Sequence, residues 1–320
     1  MAGILIVYTV GYRVLRGRIN QEKLQAFFLS RFMAVLPKKR MESIRLFEGL
    51  FLFFHRIGFG KKVIHVNLTL AFGKTKTDKE IKTLIRQIYR STGATVADIL
   101  YFTHISDDEI KDIFFIGTPD IYKEIKQKQT DSGIFILAYH FGNPLAVVYQ
   151  GLIFSNVYGY FKMQFPLLDN VFEQIRNRFG KFTIIRTSDP GNGTLRVMRG
   201  LKQKGIVSIA SDINIKNTDM FIPFFGTEAS TGRGIYYFAI RSRCPVYTVS
   251  VLRTPDYRYR FDYRPLKYKP GANEKETSEN IARAYFQQLE EMITLNPEQY
   301  MWIDRRWRTR PPGDNRNFYA

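Results

Sequence analysis

Six short runs of β-branched and aromatic residues recur at 134–139, 156–161, 182–185, 206–210, 246–252 and 257–263. Most are separated by stretches with helical patterning, at 168–179, 193–204 and 232–242. Short apolar strands alternating with helices need cover on both faces of their sheet, which is what a wound α/β architecture provides. Only Arg253-Thr-Pro-Asp256 separates the last two runs. That is too short for a crossover, so an antiparallel hairpin should end the series. We therefore expect an α/β fold with a mixed, mostly parallel sheet flanked by helices.

At 320 residues and 45% apolar composition, the chain can bury a large core. Residues 61–320 are expected to form one α/β domain, preceded over 1–60 by apolar and amphipathic helices that associate with a membrane. Another helix should run from Thr77-Asp78 to Phe102, with Ile81, Ile85, Ile88 and Tyr89 on one face, and a polar-faced helix over 271–295. The single cysteine, Cys244, excludes an internal disulfide and a cysteine-based metal site, and fits a reducing compartment.

The formal net charge of +19 calls for an anionic partner: nucleic acid, a membrane surface or an acidic carrier. Its distribution favours the membrane. Residues 1–100 carry 18 Lys and Arg against six Asp and Glu, and the same region holds two apolar segments. Met1-Ala-Gly-Ile-Leu-Ile-Val-Tyr-Thr-Val-Gly-Tyr12 runs into Arg13, Arg16 and Arg18, the reverse of the charge order in a secretory signal. Leu46-Phe-Glu-Gly-Leu-Phe-Leu-Phe-Phe54 lies between Lys38-Lys-Arg40 and the group His55, Arg56, Lys61 and Lys62. Neither reaches the roughly 18 continuous apolar residues of a membrane span, yet apolar aromatics flanked by basic residues suit a bilayer interface. Between them, Leu24, Phe27, Phe28, Phe32 and Val35 recur at helical spacing; that face packs either on a membrane or on the domain.

Of four histidines, only His140 stands at an expected strand end beside glycine, in Ile134-Phe-Ile-Leu-Ala-Tyr-His-Phe-Gly-Asn143. Strand ends are where wound α/β enzymes keep their chemistry, and a histidine there serves either as a general base or as a structural imidazole. Asn143 suits a helix N-cap and Pro144 the first helical position. Asp212 follows the 206–210 run, so a second strand end supplies a carboxylate, which serves the histidine or a local turn.

Several segments resemble the lysophospholipid acyltransferases that include the late acyltransferases of lipid A biosynthesis. Val66-Asn-Leu-Thr-Leu-Ala-Phe72 is similar to the segment after the family's membrane anchor, and His140-Phe-Gly-Asn143 to the start of its His-x-x-x-x-Asp/Glu motif. Tyr160-Phe-Lys-Met-Gln-Phe-Pro-Leu-Leu-Asp-Asn170, ahead of Arg176 to Gly180, resembles the second block. Asp212 and Phe221-Ile-Pro-Phe-Phe-Gly226, with Ala229, Thr231 and Gly234, resemble the third. Pro297-Glu-Gln-Tyr-Met-Trp302, Arg305-Arg306 and Thr309-Arg-Pro311 resemble the C-terminal signature. The segments stand in the family's order.

There are also departures. Leu145 stands where the motif carries its acid, Ile213 where a Gln commonly follows the Asp, Lys162-Met163 in place of Arg-Pro, and Asp304 where the family often has His. The resemblance implies a glycerolipid-acyltransferase-like fold in which a histidine takes a proton from an acceptor hydroxyl attacking a thioester. His140 would be that base and Asp212, ahead of Asp169 and Glu173 at the start of the helix after the 156–161 run, the preferred replacement acid. Asn143 would contact substrate, Lys162, Arg176 and Arg233 would hold anionic groups, and Phe224 and Gly226 would belong to an acyl-chain wall. Ser230 or Thr231 would cap the helix starting near Gly232. The Arg-rich tail around Trp302 and Trp307 contacts headgroups or is a solvated basic tail.

The partners implied are acyl carrier protein or acyl-coenzyme A as donor and a membrane lipid as acceptor, at the cytoplasmic face of a bacterial inner membrane. The acceptor would be a phosphorylated glycolipid of the lipid A type or a lysophospholipid. No metal or tightly bound cofactor is implied. Two other classes remain: an inactive lipid-binding scaffold of the same fold, favoured by Leu145, and a basic nucleic-acid binder, which shows no RNA-binding signature.

Overall fold

The computed structural model describes residues 36–161, 171, 174–177, 182–187 and 193–320. The apolar segment 1–12, the stripe from Leu24 to Val35, Lys162 and most of the 168–179 stretch lie outside the described residues.

Nine strands are described. Seven form one sheet in the order β1-β9-β8-β2-β5-β3-β4, with β1 at Phe114–Ile116, β2 at Ile134–Gly142, β3 at Val157–Phe161, β4 at Phe182–Arg186, β5 at Ile206–Ala210, β8 at Val246–Arg253 and β9 at Tyr259–Pro265. The neighbours β8-β2-β5-β3-β4 are all parallel, whereas β9 pairs antiparallel with β8 and parallel with β1. The mostly parallel sheet and the terminal hairpin are both as expected from the sequence. The central strands are buried on both faces: Ile134 to Leu137 and Ile206 and Val207 are fully inaccessible, so they read as continuous apolar runs instead of alternating ones.

Helices cover this sheet. Asp78–Tyr101 starts with a reciprocal cap in which the Thr77 side chain accepts from the Glu80 N–H while Glu80 accepts from the Thr77 N–H, satisfying two otherwise orphaned donors. It packs against Arg40–Arg56, and that helix contributes Ile44, Phe47, Phe51 and Phe54 to the common core. Glu274–Leu295 packs against Arg233–Ser242 and against the strand Met220–Phe224.

Among the strands, two features were hidden in the sequence. One is the short edge strand β1. The other is a separate hairpin of β6, Met220–Phe224, and β7, Thr227–Thr231, in a segment that reads as groove lining. Pro223 argues against a strand, yet it sits in a two-stranded ribbon where its missing donor faces no third strand. Phe225 and Gly226, both at positive φ, form the turn, the geometry that two-residue hairpins require.

Candidate active site

The parallel register builds the site. Ile134 pairs with Ile206 and Ala138 with Ala210, and carrying that offset two residues further sets His140 opposite Asp212. Paired residues on neighbouring parallel strands project to the same face, so the fold delivers the two side chains side by side. His140 Nδ1 lies 2.7 Å from Asp212 Oδ1, and the His140 backbone N–H donates to Asp212 Oδ2 at 2.9 Å. The carboxylate thus accepts from both the ring and the main chain of one residue, fixing the imidazole with Nδ1 protonated and Nε2 as its basic nitrogen.

β2 continues through His140 to Gly142, so the histidine sits within the strand and not in the turn expected after residue 139. Ala138 opposes Val249 while Gly142 opposes Val251, so β2 uses four residues where β8 uses two. Such a bulge re-aims side chains. Gly142, at φ +63°, closes it where a Cβ would fall 1.8 Å from the Val251 carbonyl oxygen. On the other side the C-terminal signature clasps the strand: Phe141 bridges to Tyr300, and the Met301 N–H donates to the His140 carbonyl at 3.1 Å. Tyr285 joins the two strand ends, donating to the Ala138 carbonyl at 2.7 Å and accepting from the Ser211 N–H at 3.3 Å.

Asn67 explains its own segment. Its amide donates at 2.7 Å to the carbonyls of both Trp302 and Asp304, while Phe72 packs edge-on against Trp302. The N-terminal helices therefore hold the C-terminal loop that holds β2. The Asp304 carboxylate accepts from the Asn214 N–H at 2.9 Å and stands within electrostatic reach of His140.

Charge at the site follows from burial. Desolvation pushes the His140 pKa down, but the Asp212 charge, its hydrogen bond and the Asp304 charge together raise it above the ordinary histidine value. For Asp212, burial pushes up, and the imidazole with its hydrogen bonds pulls the net value down. Asp304 is raised by burial, against the Asn214 hydrogen bond and the Arg306 and His140 charges. Asp212 is fully inaccessible, whereas the His140 side chain keeps about 25% of its surface exposed. A buried carboxylate behind a partly exposed imidazole is an arrangement for moving a proton at Nε2.

The other sequence candidates fall differently. Asn143 caps the 3-10 helix Pro144–Tyr149, accepting from the Leu145 N–H at 3.2 Å; its Nδ2 is buried with no protein partner. The expected N-cap is there, though the helix is 3-10 in type. Leu145 packs partly buried against the core. Arg176 is half-buried.

Arg233 is not placed to hold a substrate anion. It is buried and donates to Asp219 at 3.1 Å, the Ser278 hydroxyl at 2.8 Å, the Lys275 carbonyl at 3.0 Å and Glu279 at 3.0 Å, so its fork is used internally. Phe224 is likewise a core residue, fully buried and stacked on Trp307 with ring centroids 5.5 Å apart, and Gly226 makes the hairpin turn. Ser230 and Thr231 do not cap the Arg233–Ser242 helix: Ser230 bonds to Ile215 and Asn214, and Thr231 to the Ala229 carbonyl. The aromatic tail is no solvated arm either, since Trp302, Arg306 and Trp307 are buried and the Arg306 guanidinium lies 5.0 Å from the Phe286 ring.

Sequence reasoning passed over Tyr285, and it named Tyr300 and Met301 only within the C-terminal signature, without a role at the site. Their contacts run through main-chain atoms far away in sequence, which no local pattern marks.

Comparison with known proteins supplies the family. Residues 22–309 match the model of the bacterial lipid A biosynthesis acyltransferases. The chain is 28% identical over 260 residues to a lipid A biosynthesis palmitoleoyltransferase of Escherichia coli K12, covering 80% of this chain and 81% of that one. It is 26% identical over 257 residues to a lipid A biosynthesis lauroyltransferase of the same organism, covering 79% and 80%. A lipid A biosynthesis acyltransferase of Haemophilus influenzae is 27% identical over 166 residues, covering 52% and 49%. With the match running through nearly the whole sheet and both halves of the His140–Asp212 pair, the chain belongs to the bacterial lipid A biosynthesis acyltransferase family.

Proposed function

We propose that this protein transfers an acyl group from the thioester of acyl carrier protein or acyl-coenzyme A to a hydroxyl of a phosphorylated glycolipid of the lipid A type, or of a lysophospholipid. The observation that carries this reading is the His140–Asp212 bond, which supplies the orienting acid that Leu145 does not. His140 Nε2 takes the proton of the acceptor hydroxyl as its oxygen attacks the thioester carbonyl. Asp212 holds the ring and stabilises its cationic form. Collapse of the tetrahedral adduct breaks the carbon–sulfur bond, and the proton on Nε2 passes to the leaving thiolate, giving an ester and a free thiol.

Asn143, next to the base with an unpartnered amide, contacts substrate in this reading, and Lys162 and Arg176 are the remaining anion holders. Residues 1–60 supply the membrane-associating part and residues 61–320 the acyltransferase domain. The protein acts at the cytoplasmic face of a bacterial inner membrane, held peripherally or by one N-terminal anchor. Its charge of +19 steers an acidic carrier or an anionic surface toward it, an attraction that weakens with salt.

Leu145 favours a second reading, an inactive lipid-binding scaffold. Mass spectrometry separates the two: purified protein is incubated with acyl thioesters and a membrane lipid extract, beside His140→Ala. Acylated lipid formed by the native chain and lost by on the order of 10⁶-fold in the variant supports the enzyme. No acylated lipid from the native chain, with product from Leu145→Glu, supports the scaffold.

A further inference from the structure

Arg253 ends β8, at the same edge of the sheet as His140, because β8 runs parallel to β2. Only 9% of it is exposed. A guanidinium taken out of water is costly unless its donors are met. Those of Arg253 meet hydroxyls and a carbonyl on the helix Asp78–Tyr101: Nη1 donates to the Thr95 hydroxyl at 3.0 Å, and Nη2 to the Ser91 hydroxyl at 2.7 Å and the Ser91 carbonyl at 3.0 Å. Ser91 and Thr95 stand one helical turn apart on one face, a spacing that a planar guanidinium spans and a single ammonium does not.

Both ends of Arg253 lead back to the base. The Thr95 hydroxyl, which accepts from Arg253, donates in turn to the Gly142 carbonyl at 3.2 Å, and Gly142 closes the bulge that aims His140. A hydroxyl has one proton. With a cationic donor directed at its oxygen, Thr95 keeps that proton for Gly142, and the charge polarises the bond. The main chain makes the second connection. The Arg253 N–H donates to Gln299 Oε1 at 2.9 Å, and its carbonyl accepts from Gln299 Nε2 at 2.8 Å. Gln299 immediately precedes Tyr300 and Met301, which grip Phe141 and His140. One residue therefore fastens the bulge from the helix side with its side chain and from the loop side with its backbone.

From this double connection we infer that Arg253 is a positioning residue for acyl transfer: through Thr95 it holds the Gly142 carbonyl, and so sets the aim of the His140 imidazole between Asp212 and the acceptor hydroxyl. Arg253 itself touches no reacting atom. This rests on the reading that His140 is the base. A base displaced by an ångström loses rate and little ground-state affinity, so the effect belongs in kcat.

The test uses the full chain carrying Arg253→Lys, Thr95→Val, or both. Each single change should lower kcat roughly 10- to 100-fold while KM stays within about threefold. Because the two residues act along one path, the double variant should be no slower than the slower single one. A proton spectrum supplies a readout that a merely structural role would leave alone: the His140 Nδ1–H bonded to Asp212 gives a downfield resonance, assigned by its absence from His140→Ala. That resonance should move upfield or broaden in both single variants. Thr95→Val keeps the guanidinium bonded to Ser91, so it tests the link to Gly142 even where Arg253→Lys fails to fold.

A folded Thr95→Val with native kcat and an unmoved resonance overturns the proposal, since Arg253 then fastens the fold and nothing more. Losses that multiply in the double variant also overturn it, because Arg253 would then act by a route other than Thr95. If the native chain acylates no lipid but the resonance moves in both variants, the enzymatic reading fails while the positioning of His140 by Arg253 stands.

Discussion

Two aspartates of this molecule, Asp98 and Asp212, are both fully inaccessible, and they do opposite things. Asp98, on the Asp78–Tyr101 helix, receives the Arg40 fork at 2.7 and 3.0 Å and the Tyr259 hydroxyl at 2.7 Å. Its partner is always charged, so the cluster is a permanent staple between two helices and β9. Asp212 receives the Nδ1–H of an imidazole whose charge depends on whether its other nitrogen, Nε2, carries a proton. The burial is the same for both; the partner decides whether a buried carboxylate fastens the fold or tunes a base. Location follows the same division, with the staple at the antiparallel end of the sheet and the base where parallel strands end.

Changes at each aspartate should break that symmetry. The largest effect is expected from Asp212→Asn, which should lower acyl transfer by roughly 10³- to 10⁴-fold, the loss seen when an orienting acid is neutralised. The pH profile gives the sign. The Asp212 charge helps raise the His140 pKa, so the native rate should climb with pH through a value above the usual histidine range. In the variant burial pushes down against the Asp304 charge alone, and the residual rate should climb at lower pH; a limb that stays put would deny Asp212 its role.

Linkage adds a stability check. A raised His140 contributes stability present below its unfolded value of about 6.5 and lost as pH rises through the folded one. A lowered Asp212 contributes above about 3.9 and loses it as pH falls. The pair should thus stabilise most between roughly pH 4 and 6.5, and denaturant titrations of native and Asp212→Asn protein should diverge there.

Next in size, Asp98→Ala should cost about 3–5 kcal/mol of stability, because Arg40 is left buried without its countercharge. Its kcat should change little at temperatures where the protein stays folded. A kcat loss as large as that of Asp212→Asn would erase the distinction. Smallest, Asp304→Asn should move the ascending limb the same way as Asp212→Asn but less, with kcat within about tenfold, since Asp304 acts on His140 by charge and without a hydrogen bond. Rate measurements from pH 5 to 9 would decide.

Much of the sheet was legible because its strands are short, apolar and β-branched, so that a brief apolar run marks a strand even where burial on both faces erases the two-residue alternation. The His140–Asp212 pair was legible for one reason: in parallel sheets functional groups gather at the strands' carboxyl ends. What stayed hidden was long-range. Nothing near Arg233 announces that Glu279, 46 residues later, will absorb its charge, so a buried cross-link looks like an anion site. Phe224 in an apolar run looks like a groove wall until Trp307 covers it. The bulge at His140 depends on Met301, and a local reading ends the strand too early.

That clasp also sets an order of events in the life of the chain. His140 and Asp212 are both made before residues 300–304, so the strand carrying the histidine stays unclamped until that loop folds back onto it, with Asn67 receiving it. A chain that stops short of that loop can therefore assemble most of its sheet while His140 still lacks the clamp that fixes its strand end.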